Sequence, residues 1–217
     1  MKNNQRRFIE YAKDYAERSG NHIWLGGSFL RGSPTPFSDV DMSVRMGEET
    51  LRAFIHGYGD PIYISYTTNP EGIIIVIYED GVAVDLDVIE TAAGLDNGFF
   101  HSESIGGQEY QRNSFICKKI CQRNDLPYQT ARLFHRSLIK YLAGKKAIGV
   151  RIANEIAAFL NGVSYITDSD YRNGITRLIA QYHEKYPLDA QYRELCFALI
   201  HSIDTECDIS VKNMKPV

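Results

Sequence analysis

Apolar positions in the first half of the chain follow two periods, and each predicts a different kind of element. Over residues 3–19, Phe8, Ala12, Tyr15 and Ala16 recur at helical spacing with charged residues between them. That pattern predicts an amphipathic helix, which Gly20 stops. A short apolar run, residues 22–25, predicts a first strand. Over residues 39–46, Val40, Met42 and Val44 alternate with polar positions, the period of a half-buried strand. Glu48 and Glu49 then open a helix that runs to about Tyr58, with acidic residues in the turn where the dipole favours them. Residues 61–67 and 72–78 read as further strands. Asp80-Gly81 reads as a two-residue hairpin turn joining strand 73–79 to strand 82–89.

The pattern changes after residue 90. Gly94, Gly98, Gly106 and Gly107 interrupt any period over 91–111. This predicts a structureless connection between domains that also serves as a lid. His101, Glu103 and Glu109 lie in it, as surface polar residues or as groups meeting a substrate. From Gln111 the period is helical, with predicted helices at about 111–124, 127–144, 146–160, 170–186 and 189–206. Asp125 ahead of Pro127 is a plausible cap with proline in the first turn. Asn161-Gly162 ends one helix, Tyr186-Pro187 separates the last two, and the last ten residues are expected to fray. The predicted class is α+β: a small mixed sheet with helices over 1–110, then a helical bundle over 111–217.

Composition adds limits. Of the 217 residues, 44% are apolar and 24% charged, ordinary for a globular protein. The first thirty residues hold no run suited to a signal peptide, and no segment approaches the roughly 20 apolar residues of a membrane span. Cys117, Cys121, Cys196 and Cys207 form no Cys-x-x-Cys pair and read as reduced, buried thiols of a cytoplasmic protein. Residues 1–111 carry 8 Lys and Arg against 17 Asp and Glu, whereas 112–217 carry 16 against 10. An acidic half that collects metal, faced by a basic half, suits a bound nucleoside triphosphate; two halves that merely attract explain the split as well. The pI near 6.1 argues against a nucleic-acid groove.

The chemistry concentrates between residues 26 and 41. Gly26 and Gly27 let a ligand approach the backbone. Ser28 offers a hydroxyl and an N–H, and Arg31 a fixed positive charge suited to phosphate. Asp39 and Asp41 follow, two apart, so a strand would present both on one face roughly 6.6–6.8 Å apart. Side-by-side carboxylates call for a cation, and Mg²⁺ binds through one or two carboxylates plus substrate phosphates. Asp85 and Asp87 repeat the spacing on a later strand. Each piece alone also fits a glycine turn and a solvated strand face.

Together these pieces resemble the signature of the DNA-polymerase-β-like nucleotidyltransferase superfamily: Gly27-Ser28, a spacer, then Asp39-Val40-Asp41 preceded by Ser38, and a third carboxylate downstream. The resemblance covers residues 22–90 and implies a metal-dependent enzyme. It would move a nucleoside monophosphate, AMP in the expected case, from a nucleoside triphosphate to an acceptor hydroxyl. Asp39, Asp41 and Asp85 would hold two Mg²⁺ ions. Gly27, Ser28, Arg31 and Ser38 would bind the nucleotide, and Asp87 the acceptor. Spacing alone does not separate Asp85 from Asp87; the family's position after such a hairpin implies Asp85. The family's helical domain contributes groups to the triphosphate, which makes Lys140, Lys145 and Lys146 candidates; lysines there also serve the helix dipole. The two-domain size is similar to the small-molecule, aminoglycoside adenylyltransferase-like branch, with a cationic antibiotic as one acceptor and antibiotic resistance as the implied role. A lincosamide, another metabolite, a protein hydroxyl, or a non-catalytic nucleotide-binding module remain alternatives. No Walker A loop is present, since no Lys-Ser/Thr follows Gly32, and no Rossmann fingerprint, since Gly26, Gly27 and Gly32 have the wrong spacing and no helix pattern follows them.

Overall fold

The structure, a computed structural model, describes residues 2–91, 98–101, 111–160 and 165–212. Contacts divide the chain into two compact units, Met1–Asn124 and Asp125–Val217.

The first unit opens with α1 (Lys2–Ser19). Its apolar stripe is fully buried at Phe8, Ala12 and Ala16. Gly20, at φ 65°, ends it by donating its N–H to the Ala16 carbonyl at 3.0 Å, a left-handed terminus that glycine adopts without strain. Then come β1 (His22–Leu25), the single turn α2 (Gly27–Leu30), β2 (Val40–Arg45) and α3 (Glu48–Tyr58). The hairpin strands β3 (Pro61–Thr68), β4 (Glu71–Tyr78) and β5 (Ala83–Thr91) follow, with β6 (Gly98–His101), β7 (Gln111–Arg112) and α4 (Ser114–Ile120) completing the unit. Among the described residues the sheet runs β3-β4-β5-β2-β1-β6, with β7 paired to β5 off this path. It is mixed: β2 runs parallel to β5 and β1 parallel to β6, whereas the other neighbours are antiparallel.

Alternation sorts the sheet into two faces. Val40, Met42, Val44, Val84, Leu86 and Val88 point into the core with Phe8, Leu51 and Phe54 of α1 and α3. Each such side chain contributes about 1.5–3 kcal/mol on burial. Asp41, Ser43, Asp85 and Asp87 fall on the other face and are only partly buried.

The second unit contains α5 (Leu126–Leu142), α6 (Lys146–Phe159), α7 (Tyr171–Lys185) and α8 (Ala190–Lys212). Asp125 caps α5 by accepting from the Tyr128 N–H at 3.0 Å, and Pro127 sits in its first turn. Helices α5 and α6 pack closely at Gly149, where a Cβ would stand 2.9 Å from the Ser137 carbonyl oxygen.

The observed architecture is α+β with a mixed sheet, as expected, and it differs from the sequence reading in several places. Residues 91–111 were expected to be structureless, yet residues 98–101 form β6, in register with β1 from His22↔Gly98 to Leu25↔His101. The Phe99-Phe100 pair carries the apolar signal that the surrounding glycines mask. His101 ends that strand; Glu103 and Glu109 lie outside the described residues.

The units divide after Asn124 rather than at 110, because α4 is built into the first core through Cys117, Ile120 and Cys121. Three nearby cations also pair with carboxylates of the same unit: Lys118 with Glu71 at 2.7 Å, Lys119 with Glu48 at 3.0 Å and Arg112 with Asp87 at 2.7 Å. Divided there, the first unit carries 12 Lys and Arg against 17 Asp and Glu, and the second 12 against 10. The charge asymmetry is thus much milder than the first reading implied.

The Asp80-Gly81 hairpin has a three-residue loop rather than two. The Tyr78 N–H donates to the Val82 carbonyl at 2.9 Å, and Gly81 takes φ 83°, the left-handed position of a three-residue turn. Finally, α8 continues to Lys212 where fraying was expected from residue 208, and 213–217 lie outside the described residues.

Candidate active site

The glycine stretch folds as a turn of helix rather than an open loop. Gly26 precedes α2 and donates its N–H to the Asp41 carbonyl at 2.8 Å, which fastens the end of β1 to β2. Gly27 has φ 60°, and a Cβ there would stand 1.6 Å from Asp41 Oδ2. Two independent constraints therefore demand glycine: a left-handed backbone and a carboxylate in the space where a side chain would go. The Leu30 and Arg31 N–H groups close the turn onto the Gly26 and Gly27 carbonyls at 3.2 and 3.3 Å. Ser28 Oγ is buried with no hydrogen-bond partner among the described residues. A buried hydroxyl left unsatisfied costs about 1–3 kcal/mol, so its persistence here fits a group held ready for a ligand.

The second part of the site is a matter of register. Asp41 on β2 is the direct partner of Asp85 on the parallel strand β5, and Ser43 is the partner of Asp87. Paired residues on neighbouring strands share a face, with strands about 4.8 Å apart. Asp41 and Asp85 therefore stand side by side, with Gly27 against Asp41. Asp39 immediately precedes β2.

The other expected residues are placed as follows. Ser38 closes a turn: its Oγ accepts from the Thr35 N–H at 2.9 Å and lies 3.2 Å from Thr35 Oγ1. Its carbonyl accepts from Gln5 Nε2. Arg31 is exposed at the end of α2. Asp87 is gripped by Arg112, whose Nε donates to Oδ1 at 2.7 Å and Nη2 to Oδ2 at 2.9 Å. Sequence reasoning missed Arg112 because the pair is 25 residues apart and leaves no local pattern. Lys140, Lys145 and Lys146 belong to the second unit. Lys140 sits in the last turn of α5, Lys145 precedes α6, and Lys146 Nζ lies 5.4 Å from the centre of the Tyr141 ring. Trp24 is 1% exposed and stacks on His22 with ring centres 5.5 Å apart, a buried residue as expected. Cys117 is no nucleophile at neutral pH. Burial first, and the charge of Asp87 second, push its thiol up to about 12.

For a divalent cation these residues supply part of a donor set. Asp41 and Asp85 are paired in register, and Ser28 holds an unsatisfied buried oxygen. Among the described residues no three His, Cys, Asp or Glu side chains converge on one point. A cation here would be completed by phosphate oxygens and water, the usual condition of Mg²⁺. One cleft of the first unit, of about 390 Å³, is lined by Arg7, Tyr58, Gly59, Asp60, Tyr78, Glu79 and Asp80; no residue expected at the site lines it. Three of its polar groups pair with one another: Asp80 Oδ2 accepts from Arg7 and from the Tyr58 hydroxyl, both at 2.7 Å. That network fastens α1 to the β4–β5 hairpin.

Fold and site together define an α+β protein whose paired strand carboxylates lie beside a glycine-initiated helical turn. In comparisons with known proteins, no family model matches the chain and no curated protein matches it. No described helix is long and apolar enough to cross a membrane.

Proposed function

We propose that the chain is a metal-dependent nucleotidyltransferase that moves a nucleoside monophosphate, AMP in the first instance, from a nucleoside triphosphate to a hydroxyl of a small molecule. The observation that carries this reading is the in-register pair Asp41–Asp85, with Gly27 against Asp41. An unsatisfied Ser28 hydroxyl in the same α2 turn supports it. In this reading the first unit is a nucleotidyltransferase core. Ser28 holds a phosphate oxygen through its buried hydroxyl, which has no hydrogen-bond partner among the described residues, and Arg31 supplies a charge to the same group.

Asp39, Asp41 and Asp85 are the carboxylates that would hold Mg²⁺, which when bound would neutralise charge between carboxylates and phosphates. The acceptor oxygen attacks the α-phosphorus, the bond from that phosphorus to the bridging oxygen breaks, and pyrophosphate leaves. The acceptor's proton passes to Asp85, directly at about 2.6–3.2 Å or through one water. The first unit's excess of acidic residues, 17 against 12 basic, favours a cationic acceptor, for which an aminoglycoside-type antibiotic is the probe to try first.

The test incubates the protein with Mg²⁺, each nucleoside triphosphate and a panel of hydroxyl acceptors, and weighs the products. The expected result is one acceptor gaining the mass of a nucleoside monophosphate, lost in Asp41→Asn. Triphosphate binding that is equal in Mg²⁺ and in EDTA would overturn the metal-dependent reading. Metal-dependent binding without any product would leave a nucleotide-binding module.

A further inference from the structure

Among the described residues, the buried stripe of α1 contains one polar side chain. Phe8, Ala12 and Ala16 are fully buried, and Gln5, at the next position of the same stripe, is 4% exposed. An amide buried there costs stability unless it is hydrogen-bonded, whereas an apolar side chain would carry no such cost. Gln5 uses one end of its amide: Nε2 donates to the Ser38 carbonyl, 33 residues away in the chain. Two facing oxygens would repel, so the NH2 group must be the end that meets this carbonyl. The other end, Oε1, is buried with no hydrogen-bond partner among the described residues. A core position thus tolerates an unsatisfied oxygen together with a single contact.

That contact holds the peptide unit leading into Asp39. The Ser38 carbonyl shares one rigid plane with the Asp39 N–H and Cα. The chain before the plane is set by a turn, in which the Ser38 N–H donates to the Thr35 carbonyl at 3.2 Å and Ser38 Oγ accepts from the Thr35 N–H at 2.9 Å. The chain after it enters β2, whose pairing with β5 starts at Val40↔Val84. Asp39 falls between turn and ladder, and Gln5 ties down the plane at that junction.

We propose that Gln5 is a positioning residue that, through the Ser38–Asp39 peptide, sets the place of the Asp39 carboxylate relative to Asp41. This rests on the nucleotidyltransferase reading, in which both carboxylates hold the cation. A turn of the peptide plane changes ψ of Ser38 and φ of Asp39, and so moves the Asp39 side chain. Mg²⁺, with ligands at about 2.0–2.1 Å in near-octahedral geometry, tolerates little drift of a carboxylate. The neighbouring residue supplies a comparison of the same kind. Asn4 Nδ2 donates to the Asp80 carbonyl at 3.0 Å, a loop carbonyl that adjoins none of Asp39, Asp41 and Asp85.

The experiment measures Mn²⁺ binding by electron paramagnetic resonance in the presence of a non-hydrolysable ATP analogue, so it reads metal affinity rather than turnover. Gln5→Met, apolar and of similar length, weakens binding about tenfold or more. Its urea midpoint stays near the parent's, because the hydrogen bond lost is offset by the buried oxygen removed. Asn4→Ala leaves the affinity within about twofold of the parent. Asp39→Asn weakens binding about tenfold or more. Adding Gln5→Met to Asp39→Asn costs less than a further factor of about two, since Gln5 acts through the carboxylate already lost. A merely structural tie lowers the midpoint and multiplies the two losses instead.

Gln5→Met binding within about twofold of the parent, or a full further loss in the Asp39→Asn background, overturns the inference and leaves the nucleotidyltransferase reading intact. An Asp39→Asn protein that binds like the parent, or an Asn4→Ala protein that loses as much as Gln5→Met, does the same. If Gln5→Met does not fold, Gln5→Asn, whose amide is one methylene too short to reach Ser38, replaces it with the same expectations. No Mn²⁺-dependent binding of the analogue by the parent protein overturns both.

Discussion

At the scale of single residues, Gly27 and Ser28 make opposite demands. Gly27 is fixed by its φ of 60° and by the 1.6 Å that would separate a Cβ from Asp41 Oδ2. In Gly27→Ala the left-handed backbone alone costs about 1–3 kcal/mol, and Asp41 must move. The expected outcome is a lower urea midpoint together with loss of metal-dependent triphosphate binding. Ser28→Ala removes a buried hydroxyl that lacks a partner among the described residues. The apo protein should hold its stability or gain up to about 1–3 kcal/mol, while triphosphate binding weakens. Thermal unfolding with and without Mg²⁺ and nucleotide reads both effects. A Ser28→Ala protein that is destabilised when apo would mean the hydroxyl already has a structural partner. The Gly-Ser pair was legible in the sequence as a glycine turn near two carboxylates. Its fit against Asp41 was not, because a distance across two strands is no property of either segment.

At the scale of elements, α4 gives the clearest test. The sequence reading carried it into the helical half because its period is helical, and periodicity says nothing about which core a helix joins. In the structure it caps its first turn with Asn113, whose side chain accepts from the Ile116 N–H at 3.1 Å. It buries Ile120 to 6% exposure in the first core. Ile120→Ala should therefore cost about 2–5 kcal/mol, and Asn113→Ala about 1 kcal/mol, both read by chemical denaturation. A negligible change at both positions would mean that α4 is no part of the first core. The β4–β5 hairpin was read correctly as a hairpin from Asp80-Gly81. Its loop length was not, since one residue more or less leaves the flanking alternation nearly unchanged.

At the scale of the whole molecule, burial of ionisable groups sets a pH dependence. Burial pushes the Cys117, Cys121 and Cys196 thiols from 9.0 up to about 12. Burial likewise pushes the Tyr11 and Tyr58 hydroxyls from 10.0 up to about 12. Between about pH 9 and 12 the unfolded chain therefore binds fewer protons than the folded one, and stability falls as pH rises. The contribution is fully present below about pH 9 and is lost as pH passes through about 12. Urea midpoints measured across this window should decline steadily. In the folded protein at pH 8 these three thiols should resist alkylation that reaches them readily in urea. Flat midpoints, or fast alkylation under native conditions, would contradict the burial.

The sequence by itself determined the local elements and their chemistry. The amphipathic face of α1, the alternation of β2 and β5 and the hairpin between β4 and β5 can all be read from contiguous residues. So can the acidic positions Asp39, Asp41, Asp85 and Asp87, because helical and strand periods are properties of short windows. Only the tertiary structure decided which strands pair and in what register. It put Asp41 opposite Asp85 in parallel, inserted β6 beside β1, built α4 into the first core and set Arg112 on Asp87. Those choices depend on backbone hydrogen bonds and packing between segments far apart in the chain. A shift of one residue in register would turn every side chain of a strand to the other face, and no local window holds the information that forbids it.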